Sequence, residues 1–427
     1  MSAEPLSPSD SEADEVELPP DAPPICDTLD LPGVDNRDKA LPIRPGDLTR
    51  LLVAQPGLAA EDRERLARFG PRLGAHFHQE FFRRLRALKE AYAPLDPDSD
   101  YANIAGHTRE RTDTLDDEFL ELLDATLERA NFRALRTEII REAVAAPNEL
   151  GLSYVPDFSQ FEHLRVYARG FTKILRVSRN ARTRFRRRTI VLDAYQRMVV
   201  VLKFKDGLAK KIGPYVRTDK LYLRMFKDVP HVDMEMHLPE QGARVKMRWL
   251  DKAQIASPLL VGLPTAAAKL LLAAVISPLL LGTAIVAPLS AGVNSFFGFH
   301  RAKQKHLSHM IRSLYYLTLA NNGSVLSRLI DAAEEEEYKE TLLAYFFLWR
   351  NHDGARGFRV DALDDRIEAF LKDLTGCEIN FEISDALNKL YRLGLARLDA
   401  DGRLVATPLD EALAHLECLW DRSFREG

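Results

Sequence analysis

The chain has 427 residues, too many for one ordinary core, so its length predicts two or three folded units with connectors. Hydrophobic residues make up 46% and charged residues 29%, which permits sizeable cores and excludes a wholly disordered, collagenous or disulfide-scaffold chain. The net charge of −4 hides a segregation into −9 over 1–40, −5 over 41–159, +14 over 160–252, +6 over 253–330 and −10 over 331–427. Cys26, Cys377 and Cys418 are scattered and odd in number, which argues for reduced thiols and against a cysteine-ligated zinc site.

Residues 1–40 are rich in Pro, Ser, Asp and Glu and hold too little apolar surface to offset ordering entropy, so they read as a disordered acidic tail. The segment has neither the basic start and apolar stretch of a secretory signal nor the Arg-rich, acid-poor composition of a transit peptide. From 41 to 159 apolar residues recur at helical spacing (Phe77, Phe81, Leu85; Phe119, Leu122, Leu123; Leu135, Ile139, Ile140), predicting three or four amphipathic helices. His76 and Glu80 stand at i, i+4 and invite a metal reading, but His78 points elsewhere and no further ligands gather, so surface residues are the plainer interpretation.

Over 160–252 short β-branched and aromatic runs predict strands at Arg165–Ala168, Thr189–Leu192, Met198–Phe204, Leu221–Phe226 and Val245–Trp249, a small and mainly antiparallel sheet. Lys173–Arg188 holds eight bases, among them Arg182, Arg184, Arg186, Arg187 and Arg188, and no acid. Phe185 is its one aromatic, which fits a base-stacking nucleic-acid surface poorly and anionic headgroups better. A solvated face or a partner site is the plainer alternative.

Residues 253–299 carry one charge, Lys269, in 47 residues. As a single helix they would run about 70 Å, more than twice a bilayer core. Ser277-Pro278 divides the stretch into two lengths that each suit one pass, and bases stand on both flanks, Arg244, Lys246, Arg248 and Lys252 before and Arg301, Lys303, Lys305 and Arg312 after. A transmembrane helical hairpin returns both flanks to the cytoplasmic side; a single pass, or a re-entrant or soluble buried element, is the alternative. A basic juxtamembrane helix is expected over 300–330, with His306 and His309 at the interface.

The acidic block 331–427 predicts a helix over Glu334–Trp349 whose acidic start suits the helix dipole. A second helix after Asp361 ends at Gly376, and a third begins at Ser384 and stops at Gly394. A hairpin about Asp401-Gly402 and a last helix follow, an order resembling a winged helix. Its field opposes DNA, so an unidentified protein partner is the expected use of this domain. The fold class is therefore an α+β multidomain membrane protein with an N-terminal helical region, a basic mainly antiparallel β domain, a transmembrane hairpin and a C-terminal winged-helix-like domain.

Leu221-Tyr-Leu-Arg-Met-Phe-Lys-Asp-Val-Pro-His-Val-Asp-Met-Glu-Met-His-Leu-Pro239, followed by Val245-Lys-Met-Arg and the apolar stretch, resembles the signature of the transmembrane protein 143 family. Tyr92–Asp98, Tyr338-Lys-Glu and Ile379–Leu387 match in the same order. The resemblance implies a membrane protein with a domain of unknown function, mitochondrial in animals and also found in bacteria, with no catalytic residues to carry over. The acidic, Pro-rich start departs from the mitochondrial members and favours a bacterial inner membrane.

No phosphate loop, H-E-x-x-H, G-x-S-x-G or paired C-x-x-C occurs, and no cofactor is implied. The best catalytic candidates are His231, Asp233, Glu235 and His237: a strand through Val232–Leu238 would line one face with Asp233, Glu235 and His237. The same alternation marks any half-buried strand. The reading is a membrane-anchored interaction or scaffold protein with both soluble parts on the cytoplasmic face; the alternative is a membrane-bound enzyme acting on a lipid or other anionic substrate.

Overall fold

The computed structural model describes residues 37–100, 109–145, 152–155, 157–178, 188–208, 216–231, 234, 244–247, 304, 308, 311, 314–350, 359–399 and 403–425. Four helices open it: α1 (Pro45–Val53), α2 (Ala60–Tyr92), α3 (Arg109–Arg129) and α4 (Thr137–Ala145). Pro45 starts α1 where its missing N–H costs nothing and its fixed φ suits the helix. Along α2, Leu66, Phe69, Leu73, Phe77, Phe81, Leu88 and Tyr92 recur at three- and four-residue steps and are all buried, the stripe that an amphipathic helix presents to a core.

A five-stranded antiparallel sheet follows, in the order β1-β3-β4-β5-β7. It is built from β1 (Arg133–Ala134), β3 (Phe161–Ser178), β4 (Arg188–Phe204), β5 (Leu221–Pro230) and β7 (Thr318–Asn321). The strands β2 (Leu152–Val155) and β6 (Arg244–Met247) pair separately. Successive side chains of β4 enter different cores: Val199 and Val201 join the cluster shared with the helices, while Met198, Val200 and Leu202 join a second cluster with Phe226 and Val229. Burial on both faces explains why Met198–Phe204 is almost continuously apolar.

The chain then forms α5 (Gly323–Arg350), α6 (Val360–Thr375), α7 (Ile383–Arg392), the hairpin β8 (Ala396–Leu398) and β9 (Leu404–Ala406), and α8 (Leu409–Arg425). α5 is the axis of the helical layer, buried from Glu336 to Leu348. Phe69 of α2 stacks on its Tyr345 at 4.4 Å, and Tyr345 donates its hydroxyl hydrogen to the carbonyl of Thr407 at 2.9 Å. Arg65 and Arg72 of α2 pair with Asp410 and Glu417 of α8, so both ends of the chain close over one apolar core.

Several expectations change. Among the described residues no helix is long and apolar enough to cross a membrane. The transmembrane fold class is thus corrected to a mixed α/β protein built on a five-stranded antiparallel sheet. The two longest helices show why: α5 sets Glu334–Glu337 ahead of its short apolar run, and α2 is charged along its outer face, whereas a span needs about 20 consecutive apolar residues. Residues 253–299, on which the hairpin was expected, and Lys269 lie outside the described residues. α5 also starts eleven residues before Glu334, so the acids stand in its interior and not at its positive end. Arg37–Ala40, assigned to the tail, are ordered: Asp38 bridges Ile379 and Arg37 pairs with Glu368. Cys377 is disulfide-bonded, a departure from the reduced thiols expected, while Cys418 is free and exposed.

Candidate functional site

Of the catalytic candidates only His231 lies among the described residues; Asp233, Glu235 and His237 fall outside them. β5 ends at Pro230, and His231 and Met234 each have 3-10 conformation, so the strand expected from Val232 is not continued at Met234. The His231 ring stacks on Tyr195 at 4.2 Å, its Nε2 is buried without a hydrogen-bond partner among the described residues, and burial pushes its pKa down against the pull of Asp193. That is the environment of a neutral packing residue.

His76 is similar. Its Nδ1 is buried with no hydrogen-bond partner among the described residues and burial lowers its pKa, while Glu80 turns to Arg129 (3.0 Å) and Arg392 (3.2 Å). Glu80 is thus engaged by two arginines and is not directed to His76 alone.

Among the basic residues, Arg182, Arg184, Arg186, Arg187, Arg301, Lys303 and Lys305 lie outside the described residues, and Arg188 opens β4 opposite Ser178. The strands that carry the run are informative. β5 leaves β4 at Ala194 and β1 leaves β3 at Ala168, yet β3 and β4 remain paired to Ser178 and Arg188. A two-stranded ribbon of about 20 Å thus projects beyond the sheet. Leu175 and Val191 face each other on it, 38% and 58% exposed.

A polar hub inside α5 escaped the sequence reading. Glu336 and Lys339 pair at 2.8 Å and together hold Leu41: Glu336 accepts its N–H at 3.0 Å, and Lys339 donates to its carbonyl at 2.6 Å. Lys389 of α7 reaches Glu340 at 2.5 Å, Asp385 at 2.9 Å and Glu337 at 3.1 Å. Asn131 donates to Glu340 at 3.0 Å from a left-handed backbone conformation (φ 60°), and Arg129 stands 3.6 Å from Glu337. Burial alone would lower the Lys389 pKa, but Glu340, Glu337 and Asp385 outweigh it and hold the ammonium charged. Every acid here has a basic partner, as a load of buried charge requires. Of the two bases of α7, Lys389 is buried in this hub, and Arg392, 45% exposed, pairs with Glu80 at 3.2 Å.

A second charged group joins α3 to the sheet. Asp124 accepts from Arg165 at 2.6 Å and from the Tyr167 hydroxyl, and two turns earlier Asp116 accepts from Lys203. Phe161 pairs with Phe204 and His163 with Lys203, leaving Glu162 as the extra residue of a β-bulge. Glu162 then approaches the Lys203 ammonium at 3.5 Å. Asp116, Glu162 and His163 each offer a ligand atom, all within 4.8 Å of one another. Sequence spacing could not reveal this group, because Asp116 comes from a distant helix and the bulge leaves no local signature.

These elements define a mixed α/β protein whose helices from both chain ends cover one face of an antiparallel sheet. Residues 195–324 match the family described as "Protein of unknown function (DUF3754)", so a domain of unknown function is found there, from Tyr195 on β4 to Ser324 on α5. The match includes the Leu221–Pro239 run but does not name the transmembrane protein 143 family. No solved structure matches the chain.

Proposed function

We propose that this chain is a non-enzymatic interaction protein held at an anionic membrane surface, where the projecting β3–β4 ribbon meets lipid and the C-terminal helices face a protein partner. The observation that carries the reading is the exposed Leu175–Val191 pair on a ribbon whose segment 173–188 holds eight bases and no acid. Apolar side chains enter the headgroup layer while neighbouring bases meet its charge. The almost uncharged sequence 253–299 supports a membrane location, and the acidic C-terminal block with its engaged α7 bases supports a protein rather than a nucleic-acid partner. The alternative, an enzyme using His231, Asp233, Glu235 and His237, loses support from the neutral, stacked His231.

The test is co-sedimentation of the full chain with vesicles of phosphatidylcholine, with and without phosphatidylserine. Binding is expected only with phosphatidylserine and to weaken with salt. Leu175→Glu with Val191→Glu should reduce it at least tenfold, since full burial of each side chain contributes about 1.5–3 kcal/mol. Equal binding by the double variant would remove the ribbon from the mechanism.

A further inference from the structure

We infer that Asp116, Glu162 and His163 form a divalent-metal site, for which Zn2+ is the best-fitting ion. Two carboxylates and one imidazole make a mixed oxygen and nitrogen set, and three protein ligands leave a fourth position for water or substrate. Two observations beyond the clustering point to a cation. Asp116 is 1% exposed, and while its Oδ2 accepts from Lys203, its Oδ1 is buried with no hydrogen-bond partner among the described residues. The β-bulge is the second: it is the feature that brings consecutive side chains, Glu162 and His163, to the same cluster, whereas a regular strand would send them to opposite faces.

Lys203 currently supplies the positive charge. Its ammonium contacts Asp116 and lies 3.5 Å from Glu162, so two carboxylates share one cation and the group keeps a net negative charge. A divalent ion would neutralise both carboxylates, and the Lys203 side chain would move toward water on the side of Glu162, whose side chain is 38% exposed. Tetrahedral zinc places its ligand atoms about 3.4 Å apart, so the 4.8 Å cluster has to close slightly, a motion available to the exposed glutamate.

The experiment is calorimetric titration of the full chain with ZnCl2, with MgCl2 as the control. One zinc site is expected and no comparable magnesium site, because the imidazole favours zinc. Both His163→Ala and Glu162→Gln alter residues at the accessible side and should each weaken zinc binding at least tenfold while leaving the far-ultraviolet circular dichroism unchanged. Lys203→Met should tighten it, since the competing cation is removed. Zinc binding that is absent in the wild-type chain, or unchanged by both His163→Ala and Glu162→Gln, would overturn the proposal. Binding seen only in Lys203→Met would do so too, identifying Lys203 as the permanent cation of a structural ion pair.

Discussion

At the residue scale, Glu340 shows how burial turns an ordinary side chain into a pH-dependent one. Its pKa is pushed up to about 7 by desolvation, opposed by Lys389 and reinforced by the nearby Glu336. A carboxylate whose folded pKa lies above its unfolded value binds more protons in the folded state through that interval. Its stabilising contribution is complete below about pH 4.5 and is lost as pH rises through about 7. Glu340→Gln keeps an acceptor for Asn131 and removes the titration. Urea unfolding of both proteins between pH 5 and 8 should show wild-type stability falling relative to the variant, by at most about 3 kcal/mol. Parallel pH profiles would mean that Lys389 keeps Glu340 ionised throughout.

The hub also marks where sequence reading stopped. Glu334–Glu340 looks like a solvated helix start, because charges are usually exposed and their partners are invisible in one segment. Here the partners come from Arg129, Arg169 and Lys389, far away in the chain. Lys203, in an apolar strand, was hidden for the same reason, and His231 looked reactive although its neighbours make it a packing residue. The 3.6-residue stripe of α2 and the turns ending helices were legible because they are local signals.

At the scale of elements, the junction after α7 gives the clearest local rule. Gly394 has φ 65°, where glycine alone is unstrained, and a Cβ there would stand 2.6 Å from Nε2 of the exposed His415 ring of α8. Leu395 returns its N–H to Leu390 at 2.8 Å, closing the helix end that launches β8. Gly394→Ala should therefore cost about 1–2 kcal/mol for the left-handed backbone, with the ring contact adding to it only until the ring rotates away. Chemical denaturation checks this, and adding His415→Ala should recover only the smaller, contact part. Full recovery would show that the backbone conformation is not the constraint. Gly376, at φ 73° after α6, ends its helix by the same device, and both positions could be read from the sequence because the glycine itself is the signal.

At the scale of the whole molecule, the composition blocks and the core do not coincide. Charge divides the chain at 160, 253 and 331, yet one apolar cluster runs from Leu41 through Phe69, Phe119, Val199, Leu221 and Leu343 to Leu416. Covalent order and charge report the surface, whereas the core is set by which faces meet. α5 enters that core between α2 and α7, and its Tyr345 covers Phe69. Removing 331–427 would therefore expose the α2 stripe and leave Arg129 and Arg169 without their buried acids. The full chain should unfold in urea with coincident circular dichroism and tryptophan fluorescence transitions, whereas the chain ending at Ile330 should show no cooperative transition. A cooperative transition in the shortened chain would mean that the N-terminal helices and sheet suffice as a folding unit. The expected result bears on function, because a truncation that unfolds the protein cannot distinguish partner binding from stability. Charge reversals on the exposed face of α8, at Glu411 and Asp421, leave the core intact and are the suitable probe of a partner surface.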